Sequence, residues 1–154
     1  MNNLFEIVNY IVTKSTELKN QFTDEVNTPV EFACIFCQNQ NEYNLFTDSI
    51  ERLGKIVQTS PRGYTYLLKN PIKTISGLLW LVKIRKPDIL RKERGDADFN
   101  SDYLNLKKKY QNKDGFELVK RDNFEMIRLS NLKFDVMVCF SNSPMSKELG
   151  IKLE

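Results

Sequence analysis

The sequence predicts an α+β fold: an N-terminal helix followed by two βαβββ modules that form a curved, mostly antiparallel sheet or half-barrel. Three observations predict it. Apolar residues recur at helical spacing near the start and at every second position later on. The order strand, helix, strand, strand, strand occurs twice. Two stretches also align without a gap, GKIVQTSPRGYTYLL from Gly54 and GFELVKRDNFEMIRL from Gly115. Each is a glycine, a short strand, a polar turn and a second strand ending in leucine, as a duplicated unit requires.

Over residues 3–20, Leu4, Val8, Ile11 and Leu18 share a helical face that Phe5 and Val12 widen, which predicts an amphipathic helix laid on the domain. Glu6, Glu17 and the asparagines dilute any basic face, so the stripe points to core packing rather than to a membrane surface. From Val30 to Cys37 both faces are nearly apolar, the pattern of a buried strand. Asn41 and Glu42 open a helix with Phe46, Ile50, Leu53 and Val57 inward. Lys55 to Gln58, the turn Ser60-Pro61-Arg62-Gly63 and Tyr64 to Leu68 make a strand pair. Asn70-Pro71 is read as a break, and Leu78 to Arg85 follows Gly77 as the last strand of the module.

The second module repeats the order. Asp96 to Phe99 is a strand, Asn100 or Ser101 caps a helix carrying Tyr103, Leu106 and Tyr110, and Gly115 stops it. Phe116 to Arg121 pairs with Phe124 to Leu129, and Phe134 to Phe140 closes the unit by strict alternation. The chain of 154 residues is thus read as one domain, residues 1–154, with an N-terminal helical segment 1–25 and modules at 29–87 and 94–144.

Composition narrows the chemistry. The chain is 41% hydrophobic and 28% charged, which suits a folded domain and neither a disordered tail nor a membrane bundle. Its net charge of +3 does not call for a polyanionic partner. There is no histidine, which excludes Ser-His-Asp and Cys-His catalysis and any His-containing zinc site within the chain. Acid–base work would fall to carboxylates, lysine, tyrosine or cysteine. Cys34, Cys37 and Cys139 are an odd number behind an N-terminus without a signal pattern, so free thiols in a reducing cytoplasm are expected. Cys34 and Cys37 have C-x-x-C spacing, but inside a strand they point to opposite faces, which makes buried structural cysteines of them. Leu153-Glu154 fits either a native end or a vector scar, and no weight is placed on it.

The candidate site lies where the modules meet. On the strand ending at Arg85, Trp80, Val82 and Ile84 share one face, and Leu79, Leu81, Lys83 and Arg85 share the other. That second face runs from apolar to cationic, as a pocket wall does at its mouth. Asp96 and Asp98 share a face of the next strand, so cations and carboxylates are expected to converge on a small polar ligand. Arg91, Lys92, Glu93 and Arg94 between them read as a solvated linker. Glu125 shares a face with Ile127 and Leu129, as a sheet-edge residue or as a desolvated acid with a raised pKa. Arg128 falls on the opposite face with Phe124 and Met126. Trp80, Tyr64, Tyr66 and Phe99 are the expected aromatic walls. Lys107-Lys108-Lys109 reads as a wet helix face; no phosphate loop or RNA-binding aromatic signature accompanies it, so nucleic acid is not the expected partner. Gly95-Asp96-Ala97-Asp98-Phe99 is similar to the paired aspartates of nucleotidyltransferases, but the Gly-Ser on a helix that those enzymes need upstream is absent.

In element order and in the Gly-Phe after the helix, DADF…GFELVKRDNFEMIRLS…FDVMVCFSNSP resembles the second module of the vicinal oxygen chelate superfamily, the glyoxalases, extradiol dioxygenases and antibiotic-binding resistance proteins. The resemblance covers about residues 29 to 144 and is one of topology. It implies a site lined by the two half-barrels. Metal-dependent members hold a divalent ion with His and Glu, whereas here there is no His, and Lys83 and Arg85 stand where a carboxylate ligand would be wanted. Glu31, Asp96 or Asp98, and Asp135 are the carboxylates that would offer oxygen ligands to Mg²⁺ or Mn²⁺. The resemblance therefore implies a small-molecule-binding protein without a His-based metal site and without a resident cofactor. Its partner is expected to be a small polar or anionic molecule, held by Lys83, Arg85, Asp96, Asp98, Glu125, Trp80 and Tyr66. Two alternatives remain open: a lyase or isomerase using Glu125 or Asp98 as base, with or without Mg²⁺ or Mn²⁺, and a partner-binding module that forms a homodimer.

Overall fold

The N-terminal helix comes first in the chain and supplies one wall of the core. In the computed structural model, which describes residues 3–153, α1 spans Leu4–Phe22. Met1, Asn2 and Glu154, which the sequence reading placed in the helical segment and the tail, lie outside the described residues. The Asn3 side chain accepts a hydrogen bond from the Glu6 N–H at 2.9 Å, and the Glu6 carboxylate accepts one from the Asn3 amide at 2.8 Å, which closes the N-terminus. Leu4, Ile7, Val8, Ile11, Val12 and Leu18 are buried along one stripe. Phe5 is not part of it and stands 49% exposed. Ile7 takes its place, because the 100° step per residue carries Phe5 off the edge of the face that Leu4 and Ile11 define.

Eight strands follow. They are β1 (Val30–Phe36), β2 (Gly54–Ser60), β3 (Gly63–Thr74), β4 (Gly77–Arg85), β5 (Gly95–Phe99), β6 (Phe116–Lys120), β7 (Glu125–Leu129) and β8 (Val136–Ser141). Helix α2 (Gln40–Glu51) follows β1, α3 (Tyr103–Tyr110) follows β5, and α4 (Met145–Glu148) follows β8. The strands form one open sheet in the order β2-β3-β4-β1-β5-β8-β7-β6. Each module has the same internal order, with its first and last strands parallel, β1 with β4 and β5 with β8, and its other pairs antiparallel. The two first strands meet antiparallel at the centre, Ala33 opposite Ala97. This is the α+β architecture of two βαβββ modules.

The sheet separates two apolar layers. Ala33, Ile35, Val82, Ile84, Val138 and Phe140 face the helices and pack with α1, with Phe46 and Ile50 of α2 and with Leu106 of α3. Phe32, Cys34, Phe36, Leu81 and Met137 face the other way. Every residue of β1 is buried, as a central strand covered on both sides must be. The C-terminal segment supplies the second cover, with Met145, Ile151 and Leu153 packed on that smaller cluster.

Two local readings are corrected. Asn70-Pro71 does not end a strand: β3 runs through it to Thr74. The register instead jumps from Leu67 opposite Leu81 to Ile72 opposite Leu79, a bulge that accommodates a residue with no N–H to give to the ladder. The cap of α3 is Asp102, whose side chain accepts from the Asn105 N–H, and not Asn100 or Ser101. Asn100 is engaged elsewhere, donating to the Glu31 carboxylate at 3.0 Å.

Candidate functional site

A cavity of about 380 Å³ opens on the face away from α1, α2 and α3. Its lining runs from Gln58 on β2 to Met126 on β7. Those strands stand six places apart in the sheet, which in a flat sheet would separate them by about 29 Å. Sharing one cavity requires the sheet to curl, and the curl makes its inner face concave.

Sheet register decides what meets on that face. One row crosses Thr65, Lys83, Cys34, Asp96 and Met137; the next crosses Leu81, Phe32, Asp98, Cys139 and Arg128. Opposite residues in a ladder point to the same side, so Lys83, Asp96, Asp98 and Arg128 all face the cavity, with Arg85 one step along from Lys83. Arg62, Arg121 and Glu148 add charge at the rim, and Phe36, Phe124 and Met126 supply apolar wall.

Among the described residues, no cation of the cavity forms a close ion pair with Asp96 or Asp98. Arg85 turns to Asp88 at 3.4 Å and lies over the Phe36 ring at 4.9 Å. Arg128 reaches Glu117 at 3.4 Å with one terminal nitrogen, while its buried Nε has no partner among the described residues. Among the described residues, Lys83, Arg62 and Arg121 make no ion pair. The two carboxylates are held instead by neutral donors. The Ser141 hydroxyl donates to Asp98 at 3.0 Å and the Cys139 thiol to Asp96 at 3.9 Å.

Burial governs how these groups titrate. Desolvation pushes Asp96 up to about 6, opposed by Arg128, Arg85 and Lys83. Desolvation and then the neighbouring Asp96 charge push Asp98 up to about 7, opposed by the Ser141 hydrogen bond. The pair therefore shares its last protons close to neutrality and titrates as a unit. Desolvation also keeps Cys34 and Cys139 protonated, well above the ordinary thiol value, and Cys37 is pushed up to about 12 for the same reason. All three thiols are free, and Cys34 and Cys37 sit in opposite layers of the sheet.

The oxygens of Asp96 and Asp98 and the sulfur of Cys139 lie within 4.8 Å of one another. A hard divalent cation could draw on the two carboxylates there but not readily on a thiol held protonated. The other carboxylates named for such a role are committed elsewhere. Glu31 accepts from the Ser146 N–H at 2.7 Å and from Asn100, tying α4 down, and Asp135 accepts from the Tyr10 hydroxyl at 2.7 Å.

Four of the residues named from sequence meet in the cavity: Lys83, Arg85, Asp96 and Asp98. Three lie outside its lining. Tyr66 pairs with Val82 and therefore joins the helix-side core, where it is buried. Trp80 sits at the β3–β4 register jump, which also turns Leu79 into the helix-side core and leaves Leu81 in the other layer. Glu125 faces α3, accepting from the Tyr103 hydroxyl at 2.6 Å and Lys107 at 2.8 Å. Those two contacts hold its carboxyl below the ordinary range, the opposite of a desolvated acid. Of the expected walls, Phe99 also lies in the helix-side core and Tyr64 is 39% exposed. Arg128, Cys139 and Ser141 also line the cavity and were not among the site residues expected from sequence. Arg128 was within reach of the sequence, because parity already set it with Phe124 and Met126 against Glu125; what was missing was which side holds the cavity.

No protein-family model matches the chain, and no curated relative is found. A solved structure from structural genomics, Protein EC4020, is similar over 97% of this chain and 97% of its own, with a TM-score of 0.68 and 10% sequence identity. At that identity the likeness concerns the fold alone.

Proposed function

We propose that the chain is a small-molecule-binding protein of glyoxalase-like fold, without a His-based metal site, whose pocket between the two modules takes an anionic molecule. One observation carries this reading: Lys83 and Arg85 face an open concavity in which Lys83 forms no ion pair among the described residues. A half-buried cation with no close ion pair keeps its donors available for an anionic ligand. The apolar surface of Phe32, Phe36 and Phe124 beside it suits an organic body rather than a bare ion.

A thermal-shift screen with small carboxylates tests this, run on the wild type and on Arg85→Ala. The expected result is a rise in Tm with particular anions that the substitution abolishes. No rise with any anion, or one indifferent to Arg85→Ala, would overturn the reading.

A second reading has its own support. Asp98, pushed up to about 7 in the cavity, is matched to proton transfer near neutral pH. In a lyase or isomerase it would take or return the proton of a bound substrate. Bell-shaped turnover that disappears in Asp98→Asn while the ligand still binds would favour this reading over simple binding.

A further inference from the structure

We propose that the ligand is an organic dianion with its two anionic groups at opposite ends, one held by Lys83 and Arg85 of the first module and the other by Arg128 of the second. The inference deepens the anion-binding reading and rests on it. Three features of the cavity lead to it. First, the strand-borne cations of the lining form two groups, Lys83 and Arg85 on β4 and Arg128 on β7, four strand places apart in the curled sheet, with Arg62 and Arg121 at the rim. Second, the Arg128 side chain is 15% exposed and its Nε is buried without an acceptor among the described residues. A guanidinium donor kept in that state inside a cavity is a site for a second acceptor. Its contact with Glu117, at 3.4 Å to a carboxylate that is itself 66% exposed, engages one terminal nitrogen.

Third, the floor between the two cation groups is neutralisable. Asp96 and Asp98 lie there, and against them face Lys83 and Arg85 from β4, Cys34 and Glu31 from β1, Arg128 from β7, Cys139 and Ser141 from β8, and Arg91 from the connector. A dianion placed between the cations adds negative charge close to both carboxylates and raises their proton affinity further. Binding is therefore coupled to proton uptake. A protonated Asp98 then presents an O–H to the middle of the ligand, where a carbonyl or hydroxyl oxygen can accept it.

The experiment uses the full chain and chemically matched probes in isothermal titration: succinate, glutarate and adipate as dianions, hexanoate as monoanion and 6-aminohexanoate as zwitterion. The tightest dicarboxylate is expected to bind at least about tenfold better than hexanoate, with 6-aminohexanoate gaining nothing over hexanoate. Arg128→Met should remove the advantage of the dicarboxylate over hexanoate, whereas Lys83→Met should weaken both. In the wild type, titration near pH 7 in two buffers of different ionisation enthalpy should show net proton uptake with the dicarboxylate, which needs no variant to fold. If hexanoate binds as well as every dicarboxylate and still depends on Lys83, the dianion inference fails while the anion-binding reading stands. A tighter zwitterion, or proton release on binding, also overturns the inference. If none of the probes binds, both fall.

Discussion

The two modules share a backbone and differ on one face. Because Ala33 lies opposite Ala97, Ala33 pairs with Val82 and Ala97 with Val138, each position in one module has a counterpart in the other. Toward the helices the counterparts are alike: Val82 and Val138, Ile84 and Phe140. Toward the cavity they diverge. Phe32 and Cys34 correspond to Asp96 and Asp98, and Lys83 and Arg85 to Cys139 and Ser141. The helix side answers to packing, which asks the same of both modules. The cavity side answers to something that treats them differently, placing cations on the last strand of one and carboxylates on the first strand of the other.

Substitutions on the two faces should therefore behave differently. The largest effects belong to the helix side, and they should be similar in the two modules. Phe140→Ala should cost about 3–5 kcal/mol and Ile84→Ala about 2–5 kcal/mol in chemical denaturation, since both are fully buried. A near-zero cost in one of them would break the equivalence. Gly95 sharpens the comparison from another direction. A Cβ there would meet the Cys34 carbonyl and the Ile11 side chain of α1, whereas its counterpart Glu31 carries a full side chain, released by the bulge between Val30 and Phe32. Gly95→Ala should cost about 1–3 kcal/mol through overpacking of the central pair.

The cavity side should respond with the opposite sign. Asp98 has a folded-state pKa raised above its unfolded value, so its charged form is the disfavoured one in the fold. It destabilises above the folded value near 7, and the penalty fades as the pH falls toward the unfolded value near 4. Asp98→Asn should therefore stabilise the protein at about pH 8, by on the order of 1 kcal/mol, and do little at about pH 4. Equal stability of the two forms at both pH values would contradict the burial of this group. The smallest effect is expected in the connector, where Arg91 meets Glu93 only at 3.9 Å: Arg91→Ala should change stability by less than about 0.5 kcal/mol.

What was legible in the sequence follows from where the information is local. Strand parity alone brought Lys83 to the same face as Arg85 and Asp96 to that of Asp98, and the ladder then joined the two faces through Cys34. The repeat beginning at Gly54 and Gly115 also reappears, as the hairpins β2–β3 and β6–β7. Parity failed for Trp80 because the bulge that absorbs Pro71 resets the alternation beside it, and no local signal marks how a strand accommodates a proline. It failed for Tyr66 and Glu125 for a different reason. Glu125 was set correctly against Ile127 and Leu129 along the strand, but for both residues the side of the sheet that the helices cover is a tertiary fact. The C-terminal cover from Met145 to Leu153 was missed altogether, since four helical residues and scattered apolar side chains have no period to read.

The account stands on cations of one module and carboxylates of the other sharing one desolvated cavity. A carbon-13 NMR titration of the aspartate carboxyl groups measures that directly, on the wild type and on Lys83→Met. Asp96 and Asp98 should titrate as a coupled pair with apparent values near 6 and 7, and Asp96 should move higher when the Lys83 charge is removed. Two ordinary carboxylates titrating near 4 and indifferent to Lys83 would contradict it.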